Sequence, residues 1–219
     1  MNLKLKKIIP AVTFLIASFS AFNLLDLYYY STQSPDFRTY FSYIDFFTNN
    51  ANSTGHGHGL LYYYLISVTT VLNSDLLTSL TFNSIVSSSV ILTNYLIYLV
   101  GLAGYFQVLK KLDYKSGPIF LTFAGISFLP PVMEMIMYLK PEILAFGLLP
   151  WIIFSFDNFI NTREYPHLLA SMFSLSLLLQ TKGSIFGMVV IFLFIYYFEF
   201  IKQEFHLSLK IVAIFLILF

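Results

Sequence analysis

The sequence predicts an all-α fold: a polytopic transmembrane helix bundle whose extracytoplasmic first loop carries interfacial amphipathic helices. Of the 219 residues, 58% are hydrophobic and 11% are charged, whereas an average soluble domain is about 45–50% apolar and about 25% charged. The apolar residues stand in long runs, as expected of a chain that crosses a membrane several times. The net charge of +1 gives no indication of nucleic-acid binding. The absence of cysteine excludes disulfides, cysteine metal sites and thiol catalysis.

The first expected span is the apolar run at about 8–25. Lys4, Lys6 and Lys7 precede it, as in a signal peptide, but the run is long and no small-residue cleavage site closes it. We therefore predict a retained signal-anchor helix with a cytoplasmic N-terminus. Because the sequence stops inside another apolar run, we interpret residues 1–219 as one incomplete transmembrane domain.

Residues 31–82 form the expected extracytoplasmic catalytic loop, because this long stretch is not apolar enough to cross a membrane. Between residues 36 and 47 the aromatic residues recur at close to helical spacing, which predicts a short amphipathic helix on the membrane surface. Residues 48–59 are polar and glycine-rich and predict a turn or mobile loop. The apolar stretch 60–72 is short and rich in tyrosine, so a second interfacial helix is expected there.

Further spans are expected wherever the apolar runs approach the thickness of a bilayer. With alternating crossings, all but Arg38, Lys140 and Lys182 among the 12 lysines and arginines fall on the cytoplasmic side. This distribution supports the span count and the cytoplasmic N-terminus. We expect an integral, multi-pass protein, in a bacterial inner membrane. The expected spans after the loop are 83–109, 118–133, 143–159, 167–180, 185–200 and 207–219.

Two features of the loop could carry chemistry. Asp36 follows Ser-Pro and would serve as a helix N-cap or as a general base that takes a proton from an acceptor hydroxyl. His56 and His58 lie two positions apart among glycines and would bind a metal only with a third ligand from elsewhere. Substrate contact, metal binding and no role all remain open for the two histidines. We predict no metal site, and a need for a divalent cation is left open.

Three charged residues lie at the outer edges of later spans, where charges are costly and often functional. Lys182 and Lys140 would either extend to the membrane interface as ordinary lysines or bind the phosphate of a lipid. Glu142 could pair with Lys140. It also follows Pro141 and is expected in the first turn of a helix, where the helix dipole favours an acid.

The order of these features resembles the polytopic GT-C glycosyltransferases, which include protein O-mannosyltransferases and lipid A aminoarabinose transferases. The resemblance covers nearly the whole chain in topology, but its motifs are short. The segment 57–63 departs from the family's His-Pro-Pro-Leu-Tyr-Tyr pattern because it lacks the prolines. The motifs are Pro35-Asp36 with Tyr40 four residues after Asp36, the segment 57–63, Lys140-Pro141-Glu142 and Thr181-Lys182-Gly183.

The resemblance implies an enzyme that moves a sugar from a polyprenyl-phosphate donor to a hydroxyl of a glycan, lipid or protein, with inversion. Asp36 would be the catalytic base. The alternatives are a membrane transporter or lipid flippase, which should carry charges in mid-span, and a non-catalytic assembly subunit. The residues expected to bind the substrate or its lipid phosphate are Arg38, Tyr40, His56, His58, Lys140, Glu142 and Lys182.

Overall fold

The computed structural model describes residues 37–49, 60–72, 85–181 and 183–204, together with His206 and Ile211. All regular secondary structure in these residues is α-helical, in agreement with the predicted all-α class. The helices are α1 Phe37–Asn49, α2 Leu61–Leu72, α3 Ile85–Lys111, α4 Ser116–Ser127, α5 Pro130–Met137, α6 Glu142–Thr162, α7 Tyr165–Leu179, α8 Gly183–Tyr196 and α9 Phe198–Gln203.

Two helices of the described chain are long and apolar enough to cross a membrane. They are Ser89–Lys111 within α3 and the whole of α6, and they correspond to the spans expected at 83–109 and 143–159. At 1.5 Å per residue, the 21 residues of α6 extend over about 32 Å, close to the hydrocarbon thickness of a bilayer. The chain is therefore a candidate membrane protein with at least two spans.

Helices α3 and α6 pack side by side and run in the same direction. A Cβ atom added to Gly147 would lie 2.7 Å from the side chain of Ile97, and one added to Gly104 would lie 2.8 Å from the ring of Pro150. Positions later in α3 thus contact positions later in α6, as expected of parallel helices. Trp151 closes the seam, since its indole Nε1 donates a hydrogen bond of 3.0 Å to a backbone carbonyl of α3. Small residues that let two backbones approach are typical of helix pairs in membranes.

A parallel pair needs a connection that returns the chain to its starting side, and α4 with α5 supplies it. The ring of Phe120 lies 5.4 Å from that of Phe106, and Ser127 bonds Tyr98. The Tyr138 carbonyl, just beyond α5, accepts a hydrogen bond from Asn94 in the first half of α3. The ends of the α4–α5 pair therefore lie far apart along α3. A helix pair bent in this way is either a broken span or a re-entrant loop, and the separation of its contacts along α3 favours the broken span.

The expected span at 118–133 is accordingly two helices, bent by 71°. The break lies at Phe128 and Leu129 and is followed by Pro130 and Pro131. A proline lacks the N–H that would continue a helix and clashes with the preceding turn. Two consecutive prolines therefore explain why one apolar run forms two helices.

Helices α7 and α8 pack against α6. Helix α7 is antiparallel to it, because Leu168 packs near the end of α6 and Leu178 packs near its start. Helix α8 is parallel to α6, because Val189 joins the cluster near the start of α6 and Tyr197, just after α8, bonds Asp157.

Helices α7 and α8 are apolar but of only 15 and 14 residues, so their crossing of the membrane stays a prediction. The expected span 8–25 falls outside the described residues, as does 207–219 apart from Ile211.

Helices α1 and α2 lie at the start of the described chain and pack on each other, and α2 also packs on α3. The rings of Tyr43 and Tyr63 stack at 4.8 Å, and the Ser67 hydroxyl donates to the Ile44 carbonyl at 3.4 Å. Both regions were expected to be helical, and both are. Their location at a membrane interface remains a prediction.

An apolar cavity of about 380 Å³ lies between α6, α7, α8 and α9. Its walls are almost entirely hydrocarbon, with Ser171 and Tyr197 as the polar contributors. The other lining residues are Ile152, Phe156, Met172, Leu175, Phe186, Val190, Leu193, Phe194, Ile201 and Ile211.

Candidate functional site

The structure covers the expected site residues only in part. Lys140 and Glu142 are described with their side chains, and Arg38 and Tyr40 are described as backbone positions of α1. The other candidates, Asp36, His56, His58 and Lys182, fall outside the described residues.

Lys140 lies in the short segment between α5 and α6 and is held by a carboxylate from α5. Its Nζ is 3.3 Å from Oε2 of Glu134 and 5.3 Å from the centre of the Tyr138 ring. The Lys140 side chain is 36% exposed and that of Glu134 is 56% exposed. The expected pairing with Glu142 is therefore replaced by a pair with Glu134, six residues before Lys140. A half-exposed lysine with a solvated counter-ion can exchange that carboxylate for another anion at small cost.

Glu142 is the first residue of α6 and follows Pro141 at the N-cap position. This placement agrees with the expectation that the acid lies in the first turn of a helix. There the N-terminal end of the helix dipole stabilises a negative charge.

A buried amide fixes the backbone that carries Lys140. Asn94 of α3 is completely buried, and its Nδ2 donates hydrogen bonds of 2.9 Å to the carbonyls of Ile136 and Tyr138. Its Oδ1 accepts a bond of 2.8 Å from the hydroxyl of Tyr62 on α2. One side chain thus joins α2, α3 and the end of α5. We call these four residues the Asn94 joint.

The two ends of the bundle differ in charge. We call them the Glu142 end and the Arg163 end, after the residues at the start of α6 and just beyond its last residue. Among the described side chains, the Glu142 end carries one basic residue, Lys140. The basic residues at the Arg163 end are Lys110, Lys111, Lys115, Arg163 and Lys202.

The Arg163 end is held together by polar contacts between helices. The Tyr197 hydroxyl donates a 2.7 Å hydrogen bond to Asp157 Oδ1 on α6, and Arg163 forms a 3.1 Å ion pair with Glu204. Lys111 lies over the ring of Phe154, 4.8 Å from its centre. These contacts connect α3, α6 and the end of α8, and they are separated from Lys140 by the length of α6.

Within the described ranges, no three histidine, aspartate or glutamate side chains group as metal ligands would. No protein-family model, curated protein or solved structure matches this chain.

Sequence reasoning did not find the Asn94 joint. Its signal is a lone amide in the apolar run of α3, since a polar side chain at membrane depth needs hydrogen-bond partners from neighbouring helices. Two of the partners are backbone carbonyls, which no residue pattern marks, and the third is the hydroxyl of Tyr62.

Proposed function

We propose that this chain is a membrane glycosyltransferase that takes a sugar from a polyprenyl-phosphate donor at the Glu142 end of the bundle. The observation that supports the proposal best is the Asn94 joint. It ties the Lys140 segment to α2, and α2 packs on α1, whose first residue directly follows Asp36 in the chain. The joint therefore links, through packed helices, the two parts of the sequence that the mechanism requires.

In the proposed reaction, the acceptor hydroxyl loses its proton to the carboxylate of Asp36 as its oxygen attacks the anomeric carbon. The bond from that carbon to the phosphate oxygen breaks on the opposite face of the sugar, which inverts the configuration. The polyprenyl phosphate leaves with one more negative charge than it had in the donor. Lys140, together with Arg38 and Lys182, would neutralise that charge.

The charge distribution supports placing this site on the extracytoplasmic side. Cytoplasmic loops carry an excess of lysine and arginine, and the basic residues of the described chain concentrate at the Arg163 end. The Glu142 end would then face the periplasm of a bacterial cell, where lipid-linked sugars and acceptors meet. The apolar helices α3 and α6 are compatible with a lipid bilayer as the surrounding medium.

The test is transfer of a radiolabelled sugar from its polyprenyl phosphate, with the protein in membrane vesicles. The acceptors offered would be a glycolipid, a serine-rich peptide and an oligosaccharide. We expect label on one acceptor and release of polyprenyl phosphate, both reduced about 100-fold or more by Asp36→Asn, since a general base contributes about 10²–10⁴-fold. Asp45→Asn in α1 is the matched control and should retain transfer.

Full activity of Asp36→Asn would refute the base assignment. Movement of intact donor across the membrane without cleavage of its sugar–phosphate bond would instead identify a flippase.

A further inference from the structure

We propose that Asn94 is a positioning residue that couples α2 to the phosphate-binding segment around Lys140. This inference rests on the proposed function for its catalytic consequence, but its structural part can be tested alone. Asn94 does not reach the substrate itself. It acts through the backbone that carries Lys140.

The chemistry of the amide suits this position. Asn94 uses two N–H donors on two carbonyls and its oxygen on one hydroxyl, so a single side chain satisfies three groups on two other elements. An aspartate of the same shape could not donate to either carbonyl, and a leucine would leave all three groups without that partner. Asparagine is thus the side chain whose donors and acceptor match this site.

The carbonyls that Asn94 binds are at the end of α5, where the helix leaves carbonyls without partners of its own. Tyr138 follows the last residue of α5, and its own carbonyl also accepts the backbone N–H of Lys140 at 2.8 Å. The Tyr138 carbonyl therefore binds both Asn94 and the backbone N–H of Lys140. These two bonds fix the position of the Lys140 backbone relative to α3.

The link to α2 makes the joint more than a cap. The Tyr62 hydroxyl is the α2 group bound to Asn94, and Tyr62 is buried. A shift of α2 would therefore act on the same amide that holds the Tyr138 carbonyl. We infer that a shift of α2 on acceptor binding is transmitted to Lys140 by this route.

The experiment measures the α2–α5 distance with spin labels, using the natural lack of cysteine in this chain. Labels on Val71→Cys in α2 and Met133→Cys in α5 should give one narrow distance distribution in the full chain in nanodiscs. Asn94→Leu should at least double the width of the distribution. Thr93→Val is the matched control. It removes the neighbouring 2.9 Å bond to Thr69 of α2 and should leave the width unchanged.

If Asn94→Leu does not fold, Tyr62→Phe provides the second test, because it removes the link to α2 but keeps both carbonyl bonds. It should broaden the distribution measurably. Unchanged widths in both variants, or in Tyr62→Phe alone if Asn94→Leu does not fold, would overturn the coupling.

The catalytic arm uses the polyprenyl-phosphate-linked sugar as the probe. We expect the Asn94 or Tyr62 variant to lower kcat for sugar transfer about tenfold while the KM for this donor changes less than twofold, with Thr93→Val unaffected, because the charge that Lys140 neutralises develops as the sugar–phosphate bond breaks. A broadened distribution with an unchanged kcat would refute the positioning role. Broadening in a protein whose wild type transfers no sugar would refute the proposed function while retaining the mechanical coupling.

Discussion

The close approach of α3 and α6 leads to a quantitative prediction for Gly101→Ala. A Cβ atom at this position would lie 2.7 and 2.8 Å from two ring carbons of Phe146 and 3.0 Å from its backbone oxygen. The ring could turn away, but the carbonyl belongs to the helix and cannot. Its usual helical partner would be the N–H of residue 150, which is Pro150 and has none, so this oxygen faces α3 instead of a donor.

The magnitude follows from two opposing effects. Adding a methyl to a filled contact costs about 1–3 kcal/mol, and replacing a helical glycine by alanine returns about 0.5–1 kcal/mol. We therefore expect Gly101→Ala to lose up to about 2.5 kcal/mol of stability. Gly187→Ala in α8 is the matched control, because its Cβ would meet nothing within 4 Å. It should gain the helical contribution alone.

The assay is thermal unfolding of both variants in the same detergent, followed by circular dichroism. For a chain of this size, 1 kcal/mol shifts the Tm by about 2–4 °C, so Gly101→Ala should melt several degrees below Gly187→Ala. Using the difference between the two variants removes the common effect of helix propensity. Equal Tm values would refute the close packing of α3 against α6 at Gly101.

Two further predictions concern the Arg163 end and the orientation of the bundle. Tyr197→Phe should lower the free energy of unfolding by about 1.5–3 kcal/mol, because it removes a hydrogen bond to the Asp157 carboxylate. Tyr196→Phe is the control: Tyr196 is half exposed, so its substitution should change the free energy of unfolding by less than about 0.5 kcal/mol. Equal effects of the two substitutions in the same melting assay would contradict the hydrogen bond. Single cysteines at Lys140 and Arg163 should react with a membrane-impermeant maleimide from opposite sides of sealed vesicles, and labelling of both from one side would refute the crossing of α6.

The apolar pattern predicted the helices well, because helix formation in this chain follows from local composition. The runs behind α3 and α6 are long enough to span and carry almost no charge, so their limits could be read within a few residues. The break in the run 118–133 was not predicted. Pro130-Pro131 marks it in the sequence, but prolines are common in membrane helices, and the apolar pattern alone does not tell a straight span from a 71° bend.

The candidate site was harder to predict, because contacts between distant residues decide it. The partner of Lys140 is Glu134 rather than Glu142. Because α5 ends before Lys140, the chain brings the lysine Nζ to 3.3 Å from the carboxylate of Glu134 on α5. The role of Asn94 depends on carbonyls 42 and 44 positions away. Spacing along the sequence contains no information on either contact.

The parallel course of α3 and α6 has a consequence for how the chain is made. Neighbouring antiparallel helices can pair as a hairpin as soon as both have left the ribosome, but α3 has no such partner in α4 alone. If α3 and α6 both cross the bilayer, the glycine face of α3 has no α6 to pack against until residues 112–141 have been synthesised. The seam would then be completed late in insertion, and a pause in translation before α6 would leave Gly101 and Gly104 open to helices of other proteins.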